Sequence, residues 1–180
     1  MGIADASRRR VRAELDRLEG EYGSFTVREK EIERDADAYG WIEARHEGAT
    51  LGGAGAWVRN GTGEALLVQH GPGGPWSEPG GKHEAWESLE GTALRETREE
   101  TGVEVDLRGM VSATVTIHRH GDEPPISRLV AVFDARYRSG TPRPEPGEIH
   151  AVRWWDRHPD ELRYPEIERY PIGRRDEDSE

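Results

Sequence analysis

Gly81–Val103, reading GKHEAWESLEGTALRETREETGV, decides the fold of this 180-residue chain. Ser88 suits an N-cap, because its hydroxyl can accept from a free N–H of a first helical turn, and Gly102 suits the left-handed residue that stops a helix. A helix is therefore predicted from about residue 88 to 101. Within it Glu96, Glu99 and Glu100 fall at i, i+3 and i+4, so they project within an arc of roughly 100°. Ala93, Leu94 and Thr97 occupy the neighbouring arc and can bury against a sheet. Gly91 lies inside the helix, where it costs about 1 kcal/mol relative to alanine.

Three carboxylates on one face repel each other by tenths of a kcal/mol per pair. Taken alone, such a run is more often a solvated face than a site. A hard divalent cation would turn the repulsion into a function. Mg²⁺ prefers oxygen ligands, keeps several waters, and is commonly held by a few carboxylates together with the phosphates of a substrate. Mn²⁺ can take the same donors.

On the N-terminal side, Ala54–Arg59 and Ala65–Gln69 are apolar runs separated by Asn60-Gly61-Thr62-Gly63, which is turn chemistry for a hairpin. A loop rich in Gly and Pro follows over 71–81. On the C-terminal side, strands are predicted at Val103–Leu107, Val111–Ile117, Leu129–Tyr137 and Ala151–Trp155, with polar loops His118–Ser127 and Ser139–Gly147 between them. Residues 4–19 form an amphipathic helix with Val11, Leu15 and Leu18 on one face, which either packs on the domain or meets a second copy in a homodimer. Phe25–Ile32 reads as a strand with Phe25, Val27 and Ile32 half-buried, and Asp35–His46 as a short helix. The class is α/β, of the α+β type: a mixed sheet sandwiched between helices. Residues 1–50 make an N-terminal helical extension, 51–172 the main domain and 173–180 an acidic tail.

The net charge of −11 argues against a stable nucleic-acid complex, because phosphate backbones attract basic surfaces. A phosphate-bearing substrate then needs local cations or metal ions. With no cysteine, disulfides, thiol catalysis and thiolate-bound zinc are excluded. No segment has the apolar length of a membrane span or a signal peptide, so no membrane partner is expected and a cytoplasmic protein is. Of 25 basic residues only Lys30 and Lys82 are lysines, against 36 acidic ones, a balance that resembles proteins of halophiles. A GC-rich genome explains the scarcity of lysine but not the carboxylates.

Gly81, five residues, Glu87, seven residues, then Arg95-Glu96-Thr97-Arg98-Glu99-Glu100-Thr101-Gly102-Val103 closely resembles the Nudix box of the MutT-like hydrolases. The Pro79-Gly80-Gly81 lead-in is similar too, and the resemblance covers residues 52–157. Thr97 departs from an aliphatic position, where its methyl can pack and its hydroxyl can bond the preceding turn. Trp86 replaces a small residue.

The resemblance implies a Nudix fold in which Glu96, Glu99 and Glu100 ligate metal, with the backbone carbonyl of Gly80 as a further ligand, and Glu87 braces Arg95. It implies cleavage of a phosphoanhydride in a nucleoside-diphosphate-linked small molecule, ADP-ribose or another nucleotide sugar. The alternative substrate is a nucleoside triphosphate. Glu96, Glu145 and Glu148 are the candidates for the general base. A non-catalytic nucleotide sensor would usually lack a box glutamate, and an isoprenoid diphosphate isomerase would rely on a cysteine.

Trp57 and Arg59 on the first strand of the hairpin are expected to line the substrate cleft. His118 is expected to touch substrate; with His120 it could bind a transition metal, but no third ligand is in view. Gly80-Gly81-Lys82 is not a P-loop, since the glycine required five positions earlier is Trp76 and His83 follows the lysine.

Overall fold

The computed structural model describes residues 2–173; the expected acidic run Asp176–Glu180 lies outside them. Helix α1 spans Ile3–Tyr22, strand β1 Thr26–Glu33 and helix α2 Ala36–Glu47. There follow β2 (Gly53–Arg59), β3 (Ala65–Gln69), β4 (Trp76–Ser77), β5 (Gly80–Lys82), α3 (Leu89–Thr101), β6 (Val103–Arg119), β7 (Ile126–Gly140), β8 (Ala151–Trp155) and a 3-10 turn Pro165–Arg169.

These strands make one mixed sheet in the order β1-β6-β7-β2-β3-β4, with β5 also on β2 and β8 also on β3. β1 runs parallel to β6 and β2 parallel to β7, while β6 and β7 form a long antiparallel hairpin. The hairpin predicted at Asn60–Gly63 is present: Asn60 Oδ1 accepts from the N–H groups of Thr62 and Glu64, each at 3.0 Å. β2 nevertheless pairs with β3 only at Val58 and Arg59, because its N-terminal half pairs with β5.

Alternation along β2 and β7 gives the sheet two different faces. Ala54, Ala131 and Phe133 point to the face covered by α1 and α3, where Val11, Leu18, Leu89 and Ala93 complete a core. The apolar stripe of α1 thus packs on its own chain. Trp57 and Val132 point to the other face, where Ile167 of the 3-10 turn and Tyr170 cover them. α2 packs through Tyr39 and Ile42 on Ile126 at the start of β7.

Four sequence expectations change. Val27 is exposed, since β1 turns Arg28 and Ile32 inward instead. The two strands expected over 103–117 are one strand bent by register shifts around Gly109. The loop 71–81 contains β4 and β5, and the 3-10 turn adds an element the periodicity did not reveal. Leu94, expected to bury against the sheet, is exposed on α3, and β1 of the N-terminal segment is the edge strand of the sheet. No helix among the described residues is long and apolar enough to cross a membrane.

Candidate active site

The box is assembled by caps. Ser88 Oγ accepts from Gly91 N–H at 3.0 Å, and Gly102 closes α3 with φ of 70°, so both ends of the helix fall where side-chain chemistry predicts them. Gly91 belongs to the first turn rather than the interior. A Cβ there would stand 3.0 Å from Glu87 Cγ, so the glycine leaves room for Glu87 to fold under the helix start.

Glu87 and Arg95 form the expected brace. Arg95 Nε donates to Glu87 Oε1 at 2.9 Å and Nη2 to Oε2 at 3.1 Å, while Thr92 Oγ1 donates to the same carboxylate at 2.7 Å. The guanidinium beside Glu87 holds its carboxyl down at about 2. Arg95 also reaches Lys82 O at 3.1 Å and, through Nη1, Glu96 Oε1 at 2.9 Å and Glu99 Oε2 at 3.1 Å. One side chain therefore fixes the loop, the helix and two of the candidate metal ligands.

Gly81 is bare because of Glu96. A Cβ on Gly81 would overlap the Glu96 carboxylate, which lies directly on the loop backbone. Glu100 is buried, 2% exposed, and its Oε2 accepts from Gly80 N–H at 2.8 Å. Burial pushes its carboxyl up to about 8; that hydrogen bond opposes the shift, and the charges of Glu96, Glu148 and Glu145 add to it. Burial also raises Glu96, against the pull of Arg95. Glu99 sits further out, with 43% of its side chain exposed.

Glu96, Glu100 and Glu148 line one cavity with Gly80, Gly81, Lys82 and His70. Glu148 lies on the segment between β7 and β8. That segment is tethered just after it: Ile149 is buried and donates its N–H to Glu145 O at 3.0 Å, and His150 N–H donates to Gln69 O at 2.7 Å. Glu145 faces Glu100 through its backbone, its N–H reaching Glu100 O at 3.3 Å.

Among the described residues no three ligating side chains are already gathered into a metal cage; Arg95 holds Glu96, and the Gly80 N–H holds Glu100. The donor set is nonetheless all oxygen, crowded and like-charged, which fits a hard divalent cation better than any other ion.

A second cavity of about 370 Å³ opens from the same Gly80–Lys82 strand and His70, on the sheet face opposite α3. His118 lines it. Trp57 and Arg59 do not line either cavity. Trp57 is wholly buried, its Nε1 donating to Pro171 O at 2.6 Å, and Arg59 is buried and paired with Asp134 at 2.9 Å. Both point into the layer under the 3-10 turn, because β2 is covered on both faces. Thr97 packs as expected, but its Oγ1 finds no partner among the described residues. His118 and His120 do not converge: His118 Nδ1 accepts from Arg34 Nε at 3.1 Å, and His120 Nδ1 meets Arg34 O at 2.8 Å. Lys30, Arg34, His70, Glu78 and Arg128 were not singled out in the sequence, and all line this second cavity.

The fold and the box define a class of enzyme. The family model described as the NUDIX domain matches residues 50–171, and the chain belongs to the Nudix family of pyrophosphohydrolases. It is similar to the MutT NUDIX hydrolase from Burkholderia pseudomallei, with 30% identity over 62% of this chain and 88% of that one and a TM-score of 0.47. It is also similar to an ADP-ribose pyrophosphatase from Streptococcus suis 89-1591, with 20% identity, a TM-score of 0.45 and coverage of 59% and 73%. A UDP-X diphosphatase matches at 20% identity and a TM-score of 0.47, over 67% of this chain and 60% of its own length, under two thirds of it. None of the curated proteins compared with the chain matches it.

Proposed function

We propose that this enzyme hydrolyses the phosphoanhydride of a nucleoside-diphosphate-linked small molecule, ADP-ribose or another nucleotide sugar, with Mg²⁺ as its cofactor and Mn²⁺ as a substitute. The observation that carries this reading is the meeting of Glu96, Glu100 and Glu148 in one acidic cavity that shares His70, Gly80, Gly81 and Lys82 with a second, more basic one. A diphosphate can lie in the acidic cavity while the rest of the substrate extends past the Gly80–Lys82 strand toward the basic one.

Glu96, Glu99 and Glu100, with the Gly80 carbonyl, would hold the metal, which when bound neutralises charge on the phosphates and acidifies an attacking water. Arg95 holds Glu96 and Glu99 in position while staying bound to Glu87. Glu148 takes the proton as the water oxygen bonds to phosphorus, with Glu145 as the second choice. The bridging P–O bond breaks, and its electron pair leaves on the departing phosphate. No residue forms a covalent bond to substrate.

The test is a panel of nucleotide sugars, ADP-ribose and nucleoside triphosphates offered to the purified protein with Mg²⁺ or Mn²⁺. Released products would be resolved by chromatography. ADP-ribose should yield AMP and ribose 5-phosphate. Pyrophosphate release from triphosphates alone would replace the nucleotide-sugar reading, and no product from any member with either metal would overturn both.

A further inference from the structure

The wide face of the second cavity is built by three neighbouring strands. Lys30 of β1 stands opposite Thr116 of β6, and Thr116 stands opposite Arg128 of β7, so the three side chains form one row across the sheet. Thr114 and His118 flank Thr116 on the same face, and Arg34, just after β1, closes the end. On the far side Gly53 is bare: a Cβ there would meet Gly81 O at 2.7 Å and lie 3.5 Å from Arg128 Nη2. The missing side chain leaves room beside the Arg128 guanidinium.

These groups are donors in want of an acceptor. Lys30, Arg34 and Arg128 form no salt bridge among the described residues, in a chain with 36 carboxylates and 25 basic residues. Arg128 Nε has no partner. His118 is 1% exposed; since its Nδ1 accepts from Arg34, its proton must sit on Nε2, which also has no partner. Burial and the cations around it push His118 down to about 4, so it is a neutral N–H donor at pH 7. Both lysines of the protein, Lys30 and Lys82, line this one cavity. A buried donor left unsatisfied is costly, and three unpaired cations crowded on one face repel, so a bound anion would relieve both.

We infer that the cavity is a second anion subsite, separate from the diphosphate position, and that the preferred substrate carries a further phosphate monoester on the part remote from the scissile bond. Three cations with an N–H donor and two hydroxyls match a dianionic phosphate, which offers three acceptor oxygens, better than a carboxylate. The subsite is supplied in part by the N-terminal segment, through Lys30 and Arg34, so that segment reads the substrate. The inference rests on the hydrolase reading for its substrate but not for its anion.

Two measurements test these separately. Metal-free protein at constant ionic strength should melt higher when phosphate replaces chloride, and Lys30→Gln and Arg34→Gln should each reduce that rise at least twofold. Lys30 is exposed, so Lys30→Gln keeps the test open if Arg34→Gln folds poorly. Among nucleoside diphosphate sugars with a neutral, a carboxylate-bearing and a phosphate-bearing sugar, kcat/KM should be at least tenfold higher for the last than for the first. Lys30→Gln should raise KM for that substrate at least fivefold, and by a clearly smaller factor for the neutral substrate. No phosphate-dependent rise in the parent, or a rise the variants retain, overturns the subsite. A phosphate response with no hydrolysis of any panel member would retain the subsite and sink only the hydrolase reading. Preference for the neutral or carboxylate-bearing sugar would overturn the phosphate assignment.

Discussion

Gly80 N–H donates to Glu100 Oε2 at 2.8 Å, tying the strand that precedes the box to the last turn of the helix that carries it. The bond holds a buried carboxyl that burial keeps protonated up to about pH 8. If Glu100 ligates the metal as proposed, binding displaces its proton, and metal affinity should rise with pH toward 8.

The same group makes metal-free stability fall with pH. Unfolded, Glu100 ionises near 4.5, whereas folded it keeps its proton to about 8. The native state therefore binds more protons between these values, and stability is lost as pH rises through that window. Glu100→Gln should melt above the parent at pH 8, with the gap closing toward pH 4.5, while activity with Mg²⁺ falls at least 100-fold. Paired melts and rates check this; a variant that melts no higher at pH 8 removes the burial argument. Glu99→Gln, on an exposed side chain, should lose activity with little change in melting.

Glu87→Gln should behave in the opposite way. Arg95 holds the Glu87 carboxyl at about 2 in the folded protein, below its unfolded value near 4.5. Its contribution is full above 4.5 and is lost as pH falls through 2; it amounts to about 3 kcal/mol at most, less solvent screening. The variant should melt below the parent at pH 7, approach it near pH 2, and lose rate because Arg95 no longer fixes Glu96. Equal melting at pH 7 would count against the brace.

Gly81→Ala tests the loop. The Cβ would occupy the Glu96 carboxylate position, but nothing in the Gly81 backbone requires glycine's left-handed conformations. The fold should survive and activity should fall at least tenfold as Glu96 is displaced. Unchanged kcat would mean that Glu96 need not lie on that loop.

The acidic, lysine-poor composition gives a salt prediction. If the carboxylates are an adaptation to salt, self-repulsion destabilises the protein in dilute buffer, and molar KCl should raise its melting temperature well beyond the effect of screening a few pairs. A flat response would leave only the genome-composition explanation.

The box was legible because its chemistry is local. Ser88 and Gly102 act at the two ends of one helix, so capping chemistry places them, while the brace of Glu87 on Arg95 was legible only through the resemblance to the Nudix box. β5 escaped notice because Gly80-Gly81-Lys82 has no alternation to read; its pairing with Gly53–Gly55 depends on the absence of side chains. Trp57 looked like a cleft residue because an apolar run cannot show which of its faces is covered. The basic row of Lys30, Thr116 and Arg128 spans almost a hundred residues, and only the parallel pairing of β1 with β6 brings it together.

The general base remains the sharpest test of the chemistry. Glu148 shares a cavity with Glu96 and Glu100, and the buried Ile149 beside it anchors its backbone. Glu145, between Pro144 and Pro146, gives its N–H to Glu100 O and faces that site mainly through its backbone. A base must come within hydrogen-bond reach of the attacking water, and the fixed backbone at 148 gives its side chain a defined arc over the cavity. Glu148→Gln should therefore lower kcat by roughly 10²–10⁴ at saturating metal, with little change in KM. Glu145→Gln should lower kcat less than tenfold. If Glu148→Gln keeps kcat within threefold while Glu145→Gln loses it, the assignments exchange. If both variants keep kcat within threefold, the proton goes to Glu96, whose carboxylate already lies on the loop beside Gly81.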